Sequence, residues 1–344
     1  MKPVALVTGE VSPYRREPFR LLAGAEGLEV IAFRDAGEPI EGLTVSKTSE
    51  RGVARLVASG RYRAVIAGLG GRLALPASYA AARRARIPFV LWTSVWAHPR
   101  SPAHALSYLP TRALYRRADA VVTYGRHVSA YVQRTRRTGN VFEAPQAVSA
   151  TQFGAHVQPA PIDAGFLLLF AGRLVREKGV DVLLDAWRKA DLGEGAVLAF
   201  AGEGPIRPEG RGVRALGRAE RSSLPSLYAA ADALVLPSIR TATFLEPWGL
   251  VVNEAMHQGT PVIASDAVGA VAGGLVRDGR NGLVVPAGDA QALATRIAAL
   301  AANPELRERL GKAARHDVEP FSEAAWAQGM QSALQAVGAA RKAR

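Results

Sequence analysis

The stretch of residues 244–264 constrains the fold more than any other, because it predicts a loop, a helix, a turn and a strand in direct succession. Proline disfavours a helical residue before it, so Glu246-Pro247 is predicted to be loop. Gly249 to Gln258 carries apolar residues at helical spacing, and Gly259 suits the left-handed position just past a helix C-terminus. The apolar run at 262–264 then indicates a buried strand.

Two carboxylates, Glu246 and Glu254, frame the start of this helix. Eight fully helical steps between them would span roughly 12 Å, the scale of a sugar–diphosphate–ribose unit. The N–H groups and positive dipole end of the helix N-terminus would form a seat for the diphosphate. One carboxylate would then accept hydrogen bonds from ribose hydroxyls and the other from sugar hydroxyls. On spacing alone, the alternative is two exposed glutamates near a helix start, where acids are common.

Short apolar runs alternate with helical segments along the chain and predict two α/β halves, each with its own core. The length of 344 residues and the apolar fraction of 49% agree with two domains. The proline-rich segment 157–163 is predicted to be an interdomain linker. Residues 42–60 are predicted to be irregular apart from a helix near Glu50–Ala58, and Gly125–Arg137 is predicted to be a helix.

The positive charge is concentrated in the first half. Residues 1–150 carry 22 Lys+Arg against 10 Asp+Glu, whereas the remaining residues carry 21 against 20. Between residues 83 and 137 there are 11 arginines and a single acid, Asp119. Such a segment indicates an anionic partner: a phospholipid surface, a lipid phosphate or nucleic acid. Nucleic acid is not the expected partner, because no recognised module or aromatic–basic platform is present. Compositional bias is the alternative, but bias alone does not explain why one half is unbalanced.

Several classes of protein are disfavoured by what the sequence lacks. There are no cysteines, so neither disulfides nor thiolate metal sites are possible, and no acidic cluster indicates a metal or other cofactor. No apolar stretch approaches the length of a membrane span, and residues 1–8 indicate a first strand rather than a signal peptide. We therefore expect a cytoplasmic protein, with a peripheral position at the inner face of the membrane as an extension of that prediction.

Four motifs follow one another in an order that resembles a known family. They are Phe170–Gly179, Gly202–Pro205, the pair Glu246 and Glu254 with seven residues between them, and Gly269 with Leu275–Pro286. Together they resemble retaining glycosyltransferases of the GT-B type, in particular glycosyltransferase family 4. The resemblance is dense from about residue 165 to 320 and loose before that.

The resemblance implies a particular domain organisation. The fold class would be α/β, with two facing Rossmann-like doubly wound domains and the active site in the cleft between them. Residues 1–155 would form the acceptor-binding domain and residues 162–317 the nucleotide-sugar-binding domain. Residues 318–344, predicted to carry a final helix, would cross back onto the N-terminal domain.

Site residues follow from the motifs and the resemblance. Arg173 and Lys178 are predicted to lie at a strand's carboxyl end beside a helix N-terminus, where they would neutralise a departing diphosphate; a solvated pair is the alternative. With Glu246 and His98 they form the predicted catalytic set. The predicted donor-binding residues are Gly172, Gly202, Glu203, Gly204, Gly217, Trp248, Gly249, Leu250, Val251 and Glu254.

The N-terminal half supplies the remaining predictions. Tyr14 and Arg15 belong to a Tyr-Arg-x-x-Pro-Phe pattern found in a subset of GT-B enzymes, and they are predicted to face the acceptor; a solvated first turn is the alternative. His98 corresponds to a histidine that related enzymes often place near the donor sugar, although its local pattern departs from the family form. His104 is a second candidate, and a solvated loop histidine is the alternative for both.

The expected function is retaining transfer of a hexose-type sugar from a nucleotide diphosphate donor. The acceptor would be a glycan, a lipid-linked molecule or a small molecule, as in cell-envelope or polysaccharide synthesis. Two alternatives stay open. One is a GT-B epimerase or hydrolase, which would consume donor with no acceptor present. The other is a non-catalytic nucleotide-sugar-binding protein, which the intact glutamate and Arg/Lys pairs disfavour.

Overall fold

The computed structural model describes residues 2–341, and for Ala103 the backbone alone. These residues form two compact units. The first comprises the residues up to His98, Pro102–Ala147 and the segment from Ser322. The second comprises Pro99–Ser101 and Val148–Phe321.

Strands and helices alternate along most of the described chain. The strands are β1 (Val4–Glu10), β2 (Leu28–Asp35), β3 (Thr44–Lys47), β4 (Ala64–Gly68), β5 (Phe89–Thr93), β6 (Ala120–Thr123), β7 (Val141–Glu143), β8 (Phe166–Ala171), β9 (Ala196–Ala201), β10 (Val213–Gly217), β11 (Ala233–Leu236), β12 (Val262–Ser265) and β13 (Gly282–Val285). The helices are α1 (Arg16–Glu26), α2 (Glu50–Val57), α3 (Ala74–Ala85), α4 (Pro102–Arg117), α5 (Arg126–Gln133), α6 (Ala150–Phe153), α7 (Val180–Ala190), α8 (Leu224–Ala230), α9 (Leu250–His257), α10 (Gly269–Ala272), α11 (Ala290–Ala302), α12 (Pro304–Asp317) and α13 (Glu323–Ala336).

The first unit is built on a seven-stranded sheet in the order β3-β2-β1-β4-β5-β6-β7. Every pair in it is parallel. The strand order reverses between β1 and β4, the point at which open parallel sheets form a crevice beyond the strand ends. Two apolar clusters cover the sheet, because a parallel sheet must be buried on both faces.

Helix α13 completes the core of the first unit. Trp326 and Met330 are fully buried in the same cluster as β1, β5 and β6. The indole of Trp326 packs at 5.6 Å from the rings of both Phe19 and Trp92. Gly329 lets the helix approach β7 closely, since a Cβ there would lie 2.1 Å from the carbonyl oxygen of Glu143.

The second unit is built on a six-stranded parallel sheet in the order β10-β9-β8-β11-β12-β13. Every residue of β8 and β9 is buried, which explains why both segments are continuous apolar runs. The order reverses between β8 and β11, so this unit also has a crevice at the carboxyl ends of its central strands.

Two elements differ from the sequence-based expectation. Residues 44–47, predicted to be irregular, form β3, an edge strand paired only with β2 in the sheet; its residues are half-buried or exposed, so it lacks an apolar signature. The helix predicted at Gly125–Arg137 ends at Gln133. Arg136 instead turns inward and donates to the carbonyl oxygens of Tyr115 and Ala118, and these tertiary bonds replace a further helical turn.

None of the helices in residues 2–341 combines the length and apolar character needed to cross a membrane.

The close packing of α13 gives a test of the fold. We expect Gly329→Ala to lower the free energy of unfolding by about 1–3 kcal/mol, because the added methyl group meets a backbone carbonyl that cannot move aside. Gly24→Ala is the matched control in an exposed part of α1, where a Cβ meets no heavy atom within 4 Å. We expect that control to gain about 0.5–1 kcal/mol. Thermal or urea unfolding measures both, and an unchanged stability for Gly329→Ala would contradict the packing.

Candidate functional site

The carboxyl ends of β8, β9 and β10 in the second sheet are bonded to one another through backbone groups. The N–H of Gly172, just after β8, donates to the carbonyl oxygen of Ala201 at 3.0 Å. The N–H of Gly202, just after β9, donates to the carbonyl oxygen of Gly217 at 2.7 Å. Glu203 has an exposed side chain, and its carbonyl oxygen accepts from Leu174 N–H at 2.8 Å. The structure therefore brings together four glycine-loop positions that the motifs had singled out.

Glycine is required at the contact between these loops. A Cβ on Gly202 would lie 1.8 Å from the carbonyl oxygen of Gly172, and one on Gly204 would lie 2.2 Å from that of Leu174. Any other residue would push the two loops apart. Gly202 and Gly204 thus set how closely the loops after β8 and β9 approach each other. We call the edge formed by the carboxyl ends of the strands of the second sheet the ligand edge.

The segment from Arg173 to Gly179 runs from the end of β8 into α7 and carries the two predicted cations. The side chain of Arg173 is 65% exposed and lies 3.6 Å from a carboxylate oxygen of Glu177. The side chain of Lys178 is only 15% exposed and forms an ion pair with Glu246, whose side chain is 8% exposed. The segment docks on the loop after β11, because Ile239 N–H donates to the carbonyl oxygen of Glu177 at 3.0 Å.

Glu246 has a second partner besides the ammonium of Lys178. Ser238 Oγ donates to Glu246 Oε2 at 3.0 Å, and the ammonium of Lys178 lies 5.8 Å from the ring centre of Phe244. Ser238 was not among the predicted site residues. Its position two residues beyond β11, at the carboxyl edge of a parallel sheet, is the signal that could have identified it.

Helix α9 begins at this edge after Gly249, an N-cap residue with no side chain to bond the first turn. Gly249 precedes it with φ of +95°, and a Cβ there would lie 2.5 Å from a methyl group of Leu236. Glycine is therefore needed for the sharp entry into the helix. The backbone N–H groups of Leu250 and Val251 are at the positive end of the helix dipole, where an anion is stabilised.

The ring of Trp248, a predicted donor-binding residue, faces the interior. The residue is 2% exposed, its Nε1 donates to Asn253 Oδ1 at 2.7 Å, and its ring packs at 5.6 Å from that of Phe321. The indole therefore anchors the loop before α9, and any contribution of this residue to a ligand would come from its backbone.

Glu254 lies inside α9 and is 5% exposed. Tyr228 Oη donates to Glu254 Oε2 at 2.6 Å, and Arg221 Nη1 lies 3.7 Å from Oε1. Burial raises the pKa of this carboxyl, against the opposing effects of the Tyr228 hydrogen bond and the Arg221 charge. Neither Tyr228 nor Arg221 was among the predicted site residues.

A groove of about 740 Å³ lies beside Gly217, between α8 and the chain segment leading to β8. Its lining residues are Gln158, Pro159, Ala160, Pro161, Ile162, Leu216, Arg218, Ala219, Glu220, Ser223, Ser226 and Leu227. The N–H of Ala160 donates to the carbonyl oxygen of Ser226 at 2.9 Å and fixes that segment along α8. The groove and Glu254 thus share one helix, because Tyr228 of α8 holds the carboxylate.

The first unit has a cavity of its own, of about 280 Å³, at the carboxyl ends of β1, β4 and β5. Tyr14 and Arg15 both line it. Arg15 is 4% exposed, and its Nη2 donates to Tyr124 Oη at 3.1 Å and to Gln146 Oε1 at 2.7 Å. The structure therefore puts both predicted acceptor-side residues at one cavity, with Arg15 in its floor rather than in a solvated turn.

His98 is not part of the described lining of this cavity. Its Nε2 lies 2.7 Å from the carbonyl oxygen of His104, and its ring centre lies 5.1 Å from that of Tyr108. A carbonyl oxygen only accepts, so Nε2 is the donor in this contact. His98 is thus attached to the start of α4, and its catalytic role stays a prediction.

Within residues 2–341 there is no group of three or more His, Asp or Glu side chains placed to hold a metal ion. The expectation that no metal or other cofactor is needed stays a prediction.

Solved structures identify the class of fold. The structure of HepE from Anabaena in complex with UDP and glucose covers 97% of this chain and 100% of its own, with a TM-score of 0.76 at 20% identity. Sucrose-phosphate synthase from Thermosynechococcus elongatus covers 98% of this chain and 100% of its own, with a TM-score of 0.78 at 21% identity. Together with the two parallel sheets, these likenesses confirm the predicted GT-B fold class.

The second unit resembles a known family. Residues 155–317 match the family model described as Glycosyl transferases group 1. Alpha-D-kanosaminyltransferase from Streptomyces kanamyceticus is 30% identical over 199 residues, which are 54% of this chain and 47% of that protein. Phosphatidyl-myo-inositol mannosyltransferase from Mycobacterium leprae is 34% identical over 177 residues, which are 48% of this chain and 46% of that protein. This chain spans less than half the length of each of these relatives.

The Tyr228–Glu254 bond gives a test by pH. Ionised Glu254 is the better acceptor for ribose hydroxyls, so we expect binding of a nucleotide-sugar to weaken as the pH falls through its raised pKa. Tyr228→Phe removes a hydrogen bond that lowers this pKa, so the loss of binding should begin at a higher pH in the variant. Calorimetric titration with UDP-glucose and GDP-glucose at several pH values measures the shift.

The control for this test is Tyr79→Phe, which removes a tyrosine hydroxyl from α3 in the other unit. We expect its binding profile to match that of the unaltered protein. Identical pH profiles for all three proteins would mean that Glu254 does not contact the ligand.

Proposed function

We propose that the protein is a retaining glycosyltransferase that moves a hexose-type sugar from a nucleotide diphosphate donor to an acceptor. The acceptor would be a glycan, a lipid-linked molecule or a small molecule of cell-envelope or polysaccharide synthesis. The observation that carries the proposal is the ligand edge of the second sheet. There the Lys178–Glu246 pair, exposed Arg173 and the start of α9 come from two neighbouring loops, one after β8 and one after β11.

The donor would be bound along this edge in an extended form. Its base would occupy the groove beside Gly217, and Glu254 would accept from the ribose hydroxyls. The two phosphates would contact the N–H groups of Leu250 and Val251 and the tight glycine loops at Gly172 and Gly202. In support, HepE, which shares this fold, has been solved in complex with UDP-glucose.

Lys178 and Arg173 would act on the leaving group. As the bond between the anomeric carbon and the phosphate oxygen lengthens, negative charge grows on the diphosphate and the sugar becomes oxocarbenium-like. A cation beside that oxygen stabilises the transition state more than the ground state. Lys178 is neutralised by Glu246 before the donor arrives, so its ammonium would turn from the carboxylate to the phosphate, and Glu246 would be released to position the sugar.

The acceptor hydroxyl would attack from the face that the diphosphate leaves. A new bond forms between its oxygen and the anomeric carbon, the bond to the phosphate oxygen breaks, and that phosphate oxygen takes the hydroxyl proton. Configuration is retained without a covalent enzyme intermediate. The cavity with Tyr14 and Arg15 is the proposed acceptor site, and His98 is proposed to assist on the sugar side.

The function is tested by removing charge from the segment after β8. We expect Arg173→Ala to lower the rate of sugar transfer by about 100-fold or more, because developing charge is a feature of the transition state. The side chain is mostly exposed, so the fold should be unaffected. Arg176→Ala is the matched control, an exposed arginine three residues away with no assigned role. Equal turnover in both variants would contradict the proposed mechanism.

Lys178→Ala should also lower the rate of sugar transfer, and in addition it should lower the stability of the fold. It leaves the buried carboxylate of Glu246 without its cation, which is strongly destabilising. Melting temperature should therefore be measured with turnover, and the loss of rate should exceed any loss of folded protein.

The two alternatives are separated by donor consumption in the same assay. An epimerase or hydrolase would convert UDP-glucose or GDP-glucose with no acceptor present. A non-catalytic protein would bind one of them, raise its own melting temperature and leave the sugar intact with every acceptor. A transferase consumes donor in proportion to acceptor added.

We also propose that the first unit associates with an anionic membrane surface through α4. In this helix Leu106 is 83% exposed and Leu109 is 73% exposed, which is unusual for large apolar side chains in a water-facing helix. Exposed Arg116 and Arg117 end the same helix. Leucines that enter the interface and arginines that meet lipid phosphates are the two components of a peripheral membrane helix.

The structure restricts which residues can test this idea. Arg136 is buried and bonded to backbone carbonyls, so its loss would damage the fold. We expect Arg116→Gln and Arg117→Gln each to weaken binding to phosphatidylcholine–phosphatidylglycerol vesicles by roughly fivefold, equivalent to about 1 kcal/mol. Replacing Leu106 and Leu109 by serine should weaken it further, whereas Leu73→Ser, an exposed leucine outside α4, should not. Equal binding to pure phosphatidylcholine vesicles in a sedimentation assay would contradict the proposal.

A further inference from the structure

Arg15 is a buried cation whose partners are all uncharged. Besides its bonds to Tyr124 and Gln146, its guanidinium lies 4.5 Å from the ring centre of Trp92, 4.9 Å from that of Tyr14 and 5.7 Å from that of Trp326. No carboxylate of the described chain forms an ion pair with it. A buried charge without a counter-charge is costly, so its retention calls for a function.

Two other enclosed arginines of the same unit have a purely structural role, and their hydrogen bonds can be compared with those of Arg15. Arg136 donates from all three of its nitrogens to four backbone carbonyl oxygens, at 2.8 to 3.1 Å. Arg63 pairs with Glu26 at 2.6 Å and donates from its other two nitrogens to carbonyl oxygens at 2.7 Å. In both, every nitrogen is satisfied within the fold.

Arg15 differs because only Nη2 has partners. Its Nε and Nη1 donate to no atom of residues 2–341, although the side chain lines the cavity. Two further donors beside it, Trp92 Nε1 and Trp326 Nε1, are buried with no acceptor. The aromatic side chains thus hold a cation and several N–H groups in place without supplying the acceptor that they need.

The position of the cavity suits the binding of an anion. It lies where the strand order reverses, at the crevice in which parallel sheets bind ligands. Arg34 at its edge is exposed and has no ion pair within the described chain. Glu10 is the sole acid of the described lining, and its Oε1 already accepts from Ser12 Oγ at 3.1 Å. The described lining therefore carries two guanidinium groups and one carboxylate.

We propose that this cavity recognises an oxyanion group of the acceptor, a phosphate or carboxylate, through the free Nε–Nη1 edge of Arg15, with Arg34 as a second cation. This inference rests on the proposed function, because it names the chemical class of the acceptor. The edge of a guanidinium carries two parallel N–H groups that match two oxygens of such an anion. The stacked rings fix the orientation of that edge before the ligand arrives, which lowers the entropy lost on binding. A cavity of about 280 Å³ admits one head group and leaves the rest of the acceptor outside.

The experiment compares matched ligands by calorimetric titration of the full chain. Glucose 6-phosphate and inorganic phosphate are the soluble anions, monomeric short-chain phosphatidic acid carries the same group on a lipid, and glucose is the neutral control. We expect saturable binding of the anions and none of glucose. Tighter binding of the phosphatidic acid than of glucose 6-phosphate would indicate a lipid-linked acceptor, and the reverse order a soluble one.

Three variants locate the site. We expect Arg15→Gln to weaken binding of the preferred anion by about tenfold or more, since charge-assisted paired hydrogen bonds are lost. Arg15→Lys should recover part of this, because it keeps the charge but not the paired geometry. Arg34→Gln should weaken binding less, and as an exposed position it should leave the fold intact. Arg16→Gln is the control: this neighbouring arginine pairs with Glu38 at 2.7 Å and does not line the cavity.

UDP-glucose and GDP-glucose binding, measured on the same samples, reports on the second unit and on correct folding. Three results would each overturn the inference while leaving nucleotide-sugar binding and transfer intact. They are an unchanged anion affinity in Arg15→Gln and Arg34→Gln, a loss of anion affinity in Arg16→Gln equal to that in Arg15→Gln, and no saturable anion binding to the unaltered protein. If the unaltered protein does not bind a nucleotide-sugar, the result would instead count against the proposed function.

Discussion

The candidate site depends on one constraint, which is that every strand of the second sheet runs in the same direction. A parallel strand must be followed by a crossover, so the loops after β8, β9, β10 and β11 all emerge at one edge. The central strands β8 and β9 are buried along their whole length and carry no polar side chain, so polar groups beside them are supplied by the loops. Arg173, Lys178, Ser238 and Glu246 are residues of this kind, brought together by the direction of the strands and not by closeness in sequence.

Local signals in the sequence predicted the framework well. The runs at β8 and β9 are apolar without interruption, and the turn at Gly259 and the strand at 262–265 follow α9 as the spacing indicated. Partnerships between distant residues were beyond reach, because no local pattern encodes them. Lys178 and Glu246 are 68 positions apart, and Tyr228 and Glu254 are 26 apart. The edge strand β3 was missed for a related reason: with one neighbour and partial exposure, it needs no apolar periodicity.

The arginines of the first unit show why a count of charges does not describe a surface. Of the 11 between residues 83 and 137, Arg83 is paired with Asp119, and Arg136 serves the core by binding backbone carbonyls. Arg15, outside that segment, is buried among aromatic rings with two nitrogens unused. The same residue type thus neutralises a carboxylate, closes the end of a helix or holds a charge towards a cavity. Burial and partners distinguish these roles, and composition does not.

The packing of α13 has a consequence for how the protein is made. The strands of the first unit leave the ribosome before most of the second unit exists, yet their apolar cluster includes Trp326, Met330 and Leu334 of α13. Until translation has passed through the whole second unit, that hydrophobic surface has no permanent cover and must be tolerated as an intermediate. The second unit has no such gap in its own chain from Val148 to Phe321, so it can mature first. Order of synthesis and order of completion are therefore reversed in this polypeptide.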